Sequence, residues 1–80
     1  MKATDWRYEA WKQGTHEADI AWDANDPSLL ELTIEDQERE ILCAIRHWNY
    51  KLPEGCNSPE EYARIWATQW VYTIRFISEH

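Results

Sequence analysis

Apolar and polar positions alternate along this chain with helical rather than strand spacing over most of its length. Ile34, Ile41, Ile45 and Trp48 fall on one side of a 3.6-residue repeat, and Leu42 and Ala44 widen that side. The pattern predicts a helix over 33–50. Thr33-Ile34-Glu35-Asp36 reads as its capping box, with Asp in the reciprocal position. Charges agree with the helix dipole: Glu35, Asp36, Glu38 and Glu40 come early, and Arg46, His47 and Lys51 come late. Ser58-Pro59-Glu60-Glu61 starts a last helix with a Ser cap and Pro in the first turn, and no breaker follows before His80.

The five Gly and Pro residues punctuate the rest. Thr4 and Gly14 bracket a short first element. Thr15 reads as the cap of a second helix reaching Asn25, and Asp26-Pro27 opens a short helical piece through Leu32. Leu52 to Asn57 reads as a loop. The expectation is therefore an all-α domain of four to five helices over residues 1–80, with the longest helix at the C-terminal end. Residues 29–34 and 70–77 also alternate with high β propensity, so an α+β fold with strands there is the alternative.

The last helix is apolar on more than one side. Tyr62, Trp66, Trp70 and Ile77 share one side, while Ile65, Tyr72 and Phe76 point elsewhere. Such a helix is central to its fold or lies at an interface. Trp48, Trp66 and Trp70 are expected in the core. Trp66, Trp70, Tyr72 and Phe76 are also the expected contacts of a homo-oligomer, most simply a homodimer.

Composition narrows function. Eighty residues hold one small domain and exclude large nucleotide-binding folds. No stretch has the roughly 20 apolar residues of a membrane span. The N-terminal residues lack the apolar run of an export signal, so the expected compartment is the cytoplasm, with Cys43 and Cys56 as reduced thiols. Acidic residues outnumber basic ones by 15 to 8, for a net charge of -7. That excludes nucleic-acid binding through a basic groove.

The acidity is local. Residues 1–16 carry a balance of +1 and residues 41–80 carry 0, whereas residues 17–40 carry -8. Asp19, Asp23, Asp26, Glu31, Glu35, Asp36, Glu38 and Glu40, together with Trp22, form the expected partner-binding set. A field of this kind attracts cationic grooves and speeds association. A solvated helical face with dipole-matched charges explains the same residues without a partner.

Candidate chemistry is sparse. Cys43 and His47 stand four apart on the clearest helix, with Cys56 in the next loop and His16 or His80 as possible further zinc ligands. No CxxC or HxxxH pair accompanies them. A buried Cys43 and a His47 meeting the helix dipole account for both residues, so no metal site or cofactor is expected. The same pair lacks the third orienting group that nucleophilic catalysis needs, and no GxSxG, P-loop, HExxH or EF-hand pattern occurs.

In size and character the chain resembles the small acidic inhibitors that phages encode against host defence nucleases, of the anti-CRISPR and anti-restriction type. That resemblance implies a non-enzymatic protein that presents carboxylates in place of phosphates to a nucleic-acid-binding partner.

Overall fold

A computed structural model describes residues 5–23 and 27–79. Three α-helices carry the fold: α1 (Trp6–Asp23), α2 (Ile34–His47) and α3 (Pro59–Ser78), with a 3-10 turn at Pro27–Glu31 between the first two. No strand occurs among the described residues, so the all-α reading holds and the strands considered at 29–34 and 70–77 are absent. Both α1 and α2 pack on α3.

The four to five helices expected become three α-helices and a 3-10 turn among the described residues, because the first two helices are one. Gly14 does not end the first element; it lies in the middle of α1, fully inside the fold. Thr15 is not a cap either. Its hydroxyl donates to the Trp11 carbonyl one turn back, at 3.1 Å, as a helix-interior threonine does. The reason is tertiary. A Cβ at Gly14 would strike the Trp66 carbonyl oxygen of α3 and sit 3.0 Å from Gln69 Cβ. Glycine is there for a close helix crossing, not for a turn. Ala10, Gly14 and Ala18 form a ridge of small residues with no protruding side chain, and all three are buried. The Thr4 cap lies outside the described residues. Asp5 caps the helix instead: its carboxylate accepts from Arg7 N at 2.8 Å and its carbonyl from Tyr8 N at 3.0 Å.

The other caps follow the sequence. The Thr33 hydroxyl accepts from Asp36 N at 3.1 Å, and the Asp36 carboxylate accepts from Thr33 N at 3.5 Å, closing the box. The Ser58 hydroxyl accepts from Glu61 N at 3.2 Å ahead of Pro59. Helix α2 stops at His47 rather than at Tyr50. Asn49 takes a left-handed conformation (φ 54°), and Tyr50 N closes back on the Ile45 carbonyl at 2.9 Å. Asn tolerates that region better than most residues.

Two apolar clusters run along α3. The first joins Ile41 and Ile45 of α2 to Tyr62, Ala63 and Ala67 of α3, with Ala10 of α1 and Cys56 of the loop. The second joins Ala18 of α1 to Trp70, Val71 and Ile74. Leu29, Leu32 and Trp22 close the second from the side, while Ile34 and Trp66 pack on both. Tyr62 is the most deeply buried of the polar-tipped aromatics among the described residues. Its hydroxyl lies 3.4 Å from that of Tyr50, and Trp66 meets its ring edge-on at 5.9 Å.

Trp48 was expected in this core and is not there: 77% of it is exposed. Ile45 forms the last buried layer of α2, and the chain turns away through Asn49 immediately afterwards. Periodicity put Trp48 on the apolar side, but the helix ends before a partner layer of α3 reaches it.

Candidate functional site

The second cluster determines where the acidic segment lies. It draws the end of α1 (Ala18, Ala21, Trp22), the 3-10 turn (Leu29, Leu32) and the start of α2 (Ile34) onto the same part of α3. Carboxylates interleaved with those apolar residues are therefore carried to one end of the molecule. Asp19, Asp23, Glu31 and Glu35 are exposed there, and Glu40 follows on the outer face of α2. None of these five has an ionic partner among the described residues.

The other members of the set are occupied or unplaced. Asp36 holds the capping box and meets Arg39 at 3.4 Å. Glu38 reaches across to Arg64 of α3 at 3.3 Å. Pairs as exposed as these contribute under about 1 kcal/mol, yet they reduce the local negative charge. Asp26 lies outside the described residues. Trp22, the aromatic expected among the carboxylates, is half-buried against the second cluster and presents little surface of its own.

A different aromatic takes that place. A groove of about 560 Å³ runs along the outer face of α2, from Leu32 and Asp36 past Arg39, Glu40, Cys43 and Ala44 to His47 and Trp48. These positions share one side because 36, 40, 43, 44, 47 and 48 recur at helical spacing. Its two ends differ: Asp36 and Glu40 with Arg39 between them at the start of the helix, and the exposed Trp48 indole at the finish. The His47 ring meets Trp48 edge-on at 5.1 Å, which holds the indole at the rim. Leu30, 44% exposed on the 3-10 turn, adds apolar surface at the acidic end. Sequence periodicity could not find Trp48 as a surface residue. The available signal was Asn49, whose turn propensity places the helix end just before it.

The candidate zinc ligands do not come together. Cys43 is exposed on the outer side of α2, whereas Cys56 is buried in the first cluster with its thiol donating to the Ser58 carbonyl at 3.5 Å. Among the described residues no three His, Cys, Asp or Glu side chains are grouped to hold a metal ion. His80 lies outside the described residues. Cys43 and His47 do share the α2 groove, where the imidazole packs on the Trp48 ring.

A second apolar surface lies on the far flank, where α1 and α3 meet. Trp11, Thr15, Gln69, Tyr72 and Phe76 line a groove of about 450 Å³, with Asp19 its only charged residue among the described residues. Of the residues expected at an oligomer interface, Tyr72 and Phe76 are exposed here. Trp70 is buried in the second cluster and Trp66 packs on both clusters, so these two belong to the chain's own packing. Trp11, stacked on Tyr8 with ring centroids 5.9 Å apart, joins the exposed aromatics instead. No described helix is long and apolar enough to cross a membrane. No protein-family model matches the chain, and comparison with curated proteins and with solved structures finds no match.

Proposed function

We propose that this chain is a non-enzymatic protein-binding domain, an inhibitor or regulator that engages a cationic surface of a protein partner through the outer face of α2 and the carboxylates beside it. The observation that carries this reading is the exposed Trp48 indole at one end of a groove whose other end bears Asp36 and Glu40. Tryptophan is favoured among residues that dominate binding energy, and it concentrates that energy when polar neighbours exclude water around it. Asp23, Glu31 and Glu35 extend the negative field that steers a cationic partner inward, whereas Asp19 faces the groove between α1 and α3. Where the partner is a nucleic-acid-binding protein, the carboxylates substitute for phosphates, as in phage inhibitors of cytoplasmic defence nucleases. Arg39 and Arg64 weaken that mimicry, since each pairs with a carboxylate of the set. The exposed Tyr72 and Phe76 favour a second reading, an assembly of identical chains through α3.

Capture of partners from a host lysate tests the first reading at low and high salt. The captured protein should be lost on Trp48→Ala, and also on joint reversal of Glu31, Glu35 and Glu40 to Lys, with helicity unchanged. Its capture should weaken steeply as salt rises. Capture that is indifferent to both variants removes the α2 face from consideration.

A further inference from the structure

The flank formed by α1 and α3 differs from the rest of the surface in one respect. On a chain of net charge -7, its groove holds one charged residue among the described residues, Asp19, and three large aromatics. Trp11, Tyr72 and Phe76 are 39%, 54% and 63% exposed. At roughly 200 Å² for each aromatic, they offer about 300 Å² of surface, more than a third of the ~800 Å² that each side of a standard interface buries. Depletion of charge together with enrichment in Trp, Tyr and Phe is the compositional mark of an interface core.

We infer that this flank joins two copies of the chain in a twofold dimer with their α3 helices antiparallel. This inference deepens the second reading above and is independent of the α2 groove. Three arguments favour a second copy over a foreign chain. Two bodies of equal net negative charge repel least where carboxylates are few, and this groove, with Asp19 alone among its lining, meets that condition better than the α2 face does. A twofold axis also needs a self-complementary patch. Along α3, Glu61 and Arg75 are both exposed, and neither has an ionic partner among the described residues. They stand seven residues to either side of Thr68, two turns each way and about 21 Å apart along the helix. Antiparallel pairing about Thr68 sets Glu61 of each copy against Arg75 of the other, twice per dimer. In the same register Tyr72, four residues after Thr68, comes over Arg64 of the second copy, an arrangement suited to a cation–π contact.

The dimer leaves both α2 grooves uncovered, because α2 packs on α3 through Ile41 and Ile45 and turns Cys43 and Trp48 to solvent. A partner with two cationic sites would then meet two grooves on one assembly, which raises avidity without a new contact.

Sedimentation equilibrium of the full chain across the micromolar range is the test. The unaltered chain should sediment as a dimer. Tyr72→Ser with Phe76→Ser should give a monomer of unchanged helicity, since both side chains are exposed. Glu61→Arg alone and Arg75→Glu alone should each weaken the dimer by about tenfold, as two lost surface ion pairs and the new repulsion require. The double variant should recover most of that loss. Recovery also separates pairing from misfolding, which a second charge reversal does not repair. An unaltered chain that stays monomeric throughout overturns the inference, as does a dimer indifferent to Tyr72 and Phe76. A monomer that loses a lysate partner on Tyr72→Ser assigns the flank to a foreign chain and overturns it equally. Failure here leaves the Trp48 capture experiment unaffected.

Discussion

Replacing Gly14 with alanine tests the helix crossing at its tightest point. In an unobstructed helix interior, alanine is favoured over glycine by about 1 kcal/mol, so propensity alone predicts a stabilised protein. Contact predicts the opposite. The added methyl would meet the Trp66 carbonyl oxygen, with Trp66 C at 3.2 Å and Gln69 Cβ at 3.0 Å. The obstacle is backbone on both sides, and neither helix can yield by a rotamer change. Relief needs α1 and α3 to part by roughly 1 Å, which loosens Ala10 and Ala18 on the same ridge. Overpacking costs about 1–3 kcal/mol where side chains can adjust, and a rigid obstacle belongs at the top of that range. Setting about 3 kcal/mol against the propensity gain of about 1 leaves a net loss near 2 kcal/mol. For a domain of this size that lowers Tm by about 8–16 °C. Thermal unfolding followed by far-ultraviolet circular dichroism measures it, with Lys12→Ala on the exposed side of α1 as a control. A Gly14→Ala protein that melts higher than the unaltered chain would show that α1 does not approach α3 as described.

Four further outcomes follow from the same geometry. Thr33→Ala removes the hydroxyl of the capping box and should cost about 1 kcal/mol, read from the urea midpoint; an unchanged midpoint would mean that α2 starts elsewhere. Trp48→Ala should change stability by less than about 0.5 kcal/mol, because the indole lies outside both clusters; a loss of several kcal/mol would place it in the core after all. Burial, aided by the Tyr50 hydroxyl, holds the Tyr62 phenol well above its usual value near 10. The folded state thus favours neutral Tyr62, whose contribution is intact below about pH 10 and is lost as alkali rises from there towards the folded value. Absorbance near 295 nm should show this phenol ionising only as helicity disappears. Cys43 should react with a thiol reagent at once and Cys56 only on unfolding; equal rates would contradict the placement of Cys56 among Ile41, Ile45 and Tyr62.

Much of the fold was legible because its signals are local. The caps at Thr33 and Ser58, the Pro at the start of α3 and the periodicity of Ile34, Ile41 and Ile45 each depend on residues within a few positions. The errors came where tertiary contact overrode the local rule. Gly14 carries the signature of a helix end, but its role is set by Trp66, fifty-two positions later in the chain. Trp48 falls on the apolar side of α2 by spacing, but burial depends on whether a facing layer exists, which spacing does not report. The acidic set was identified by composition. That Asp36 and Glu38 are occupied by Arg39 and Arg64 required three-dimensional placement, since Arg64 lies on another helix. The cysteines separated for a related reason: one falls on the outer side of α2, and the loop folds the other inward.

Ile34 and Trp66 each pack on both clusters. Together with α1 and α3, which run through both clusters, they tie the two ends of this small molecule to one another. Truncating either side chain should loosen both ends at once, so the acidic pole shares its stability with the half around Tyr62.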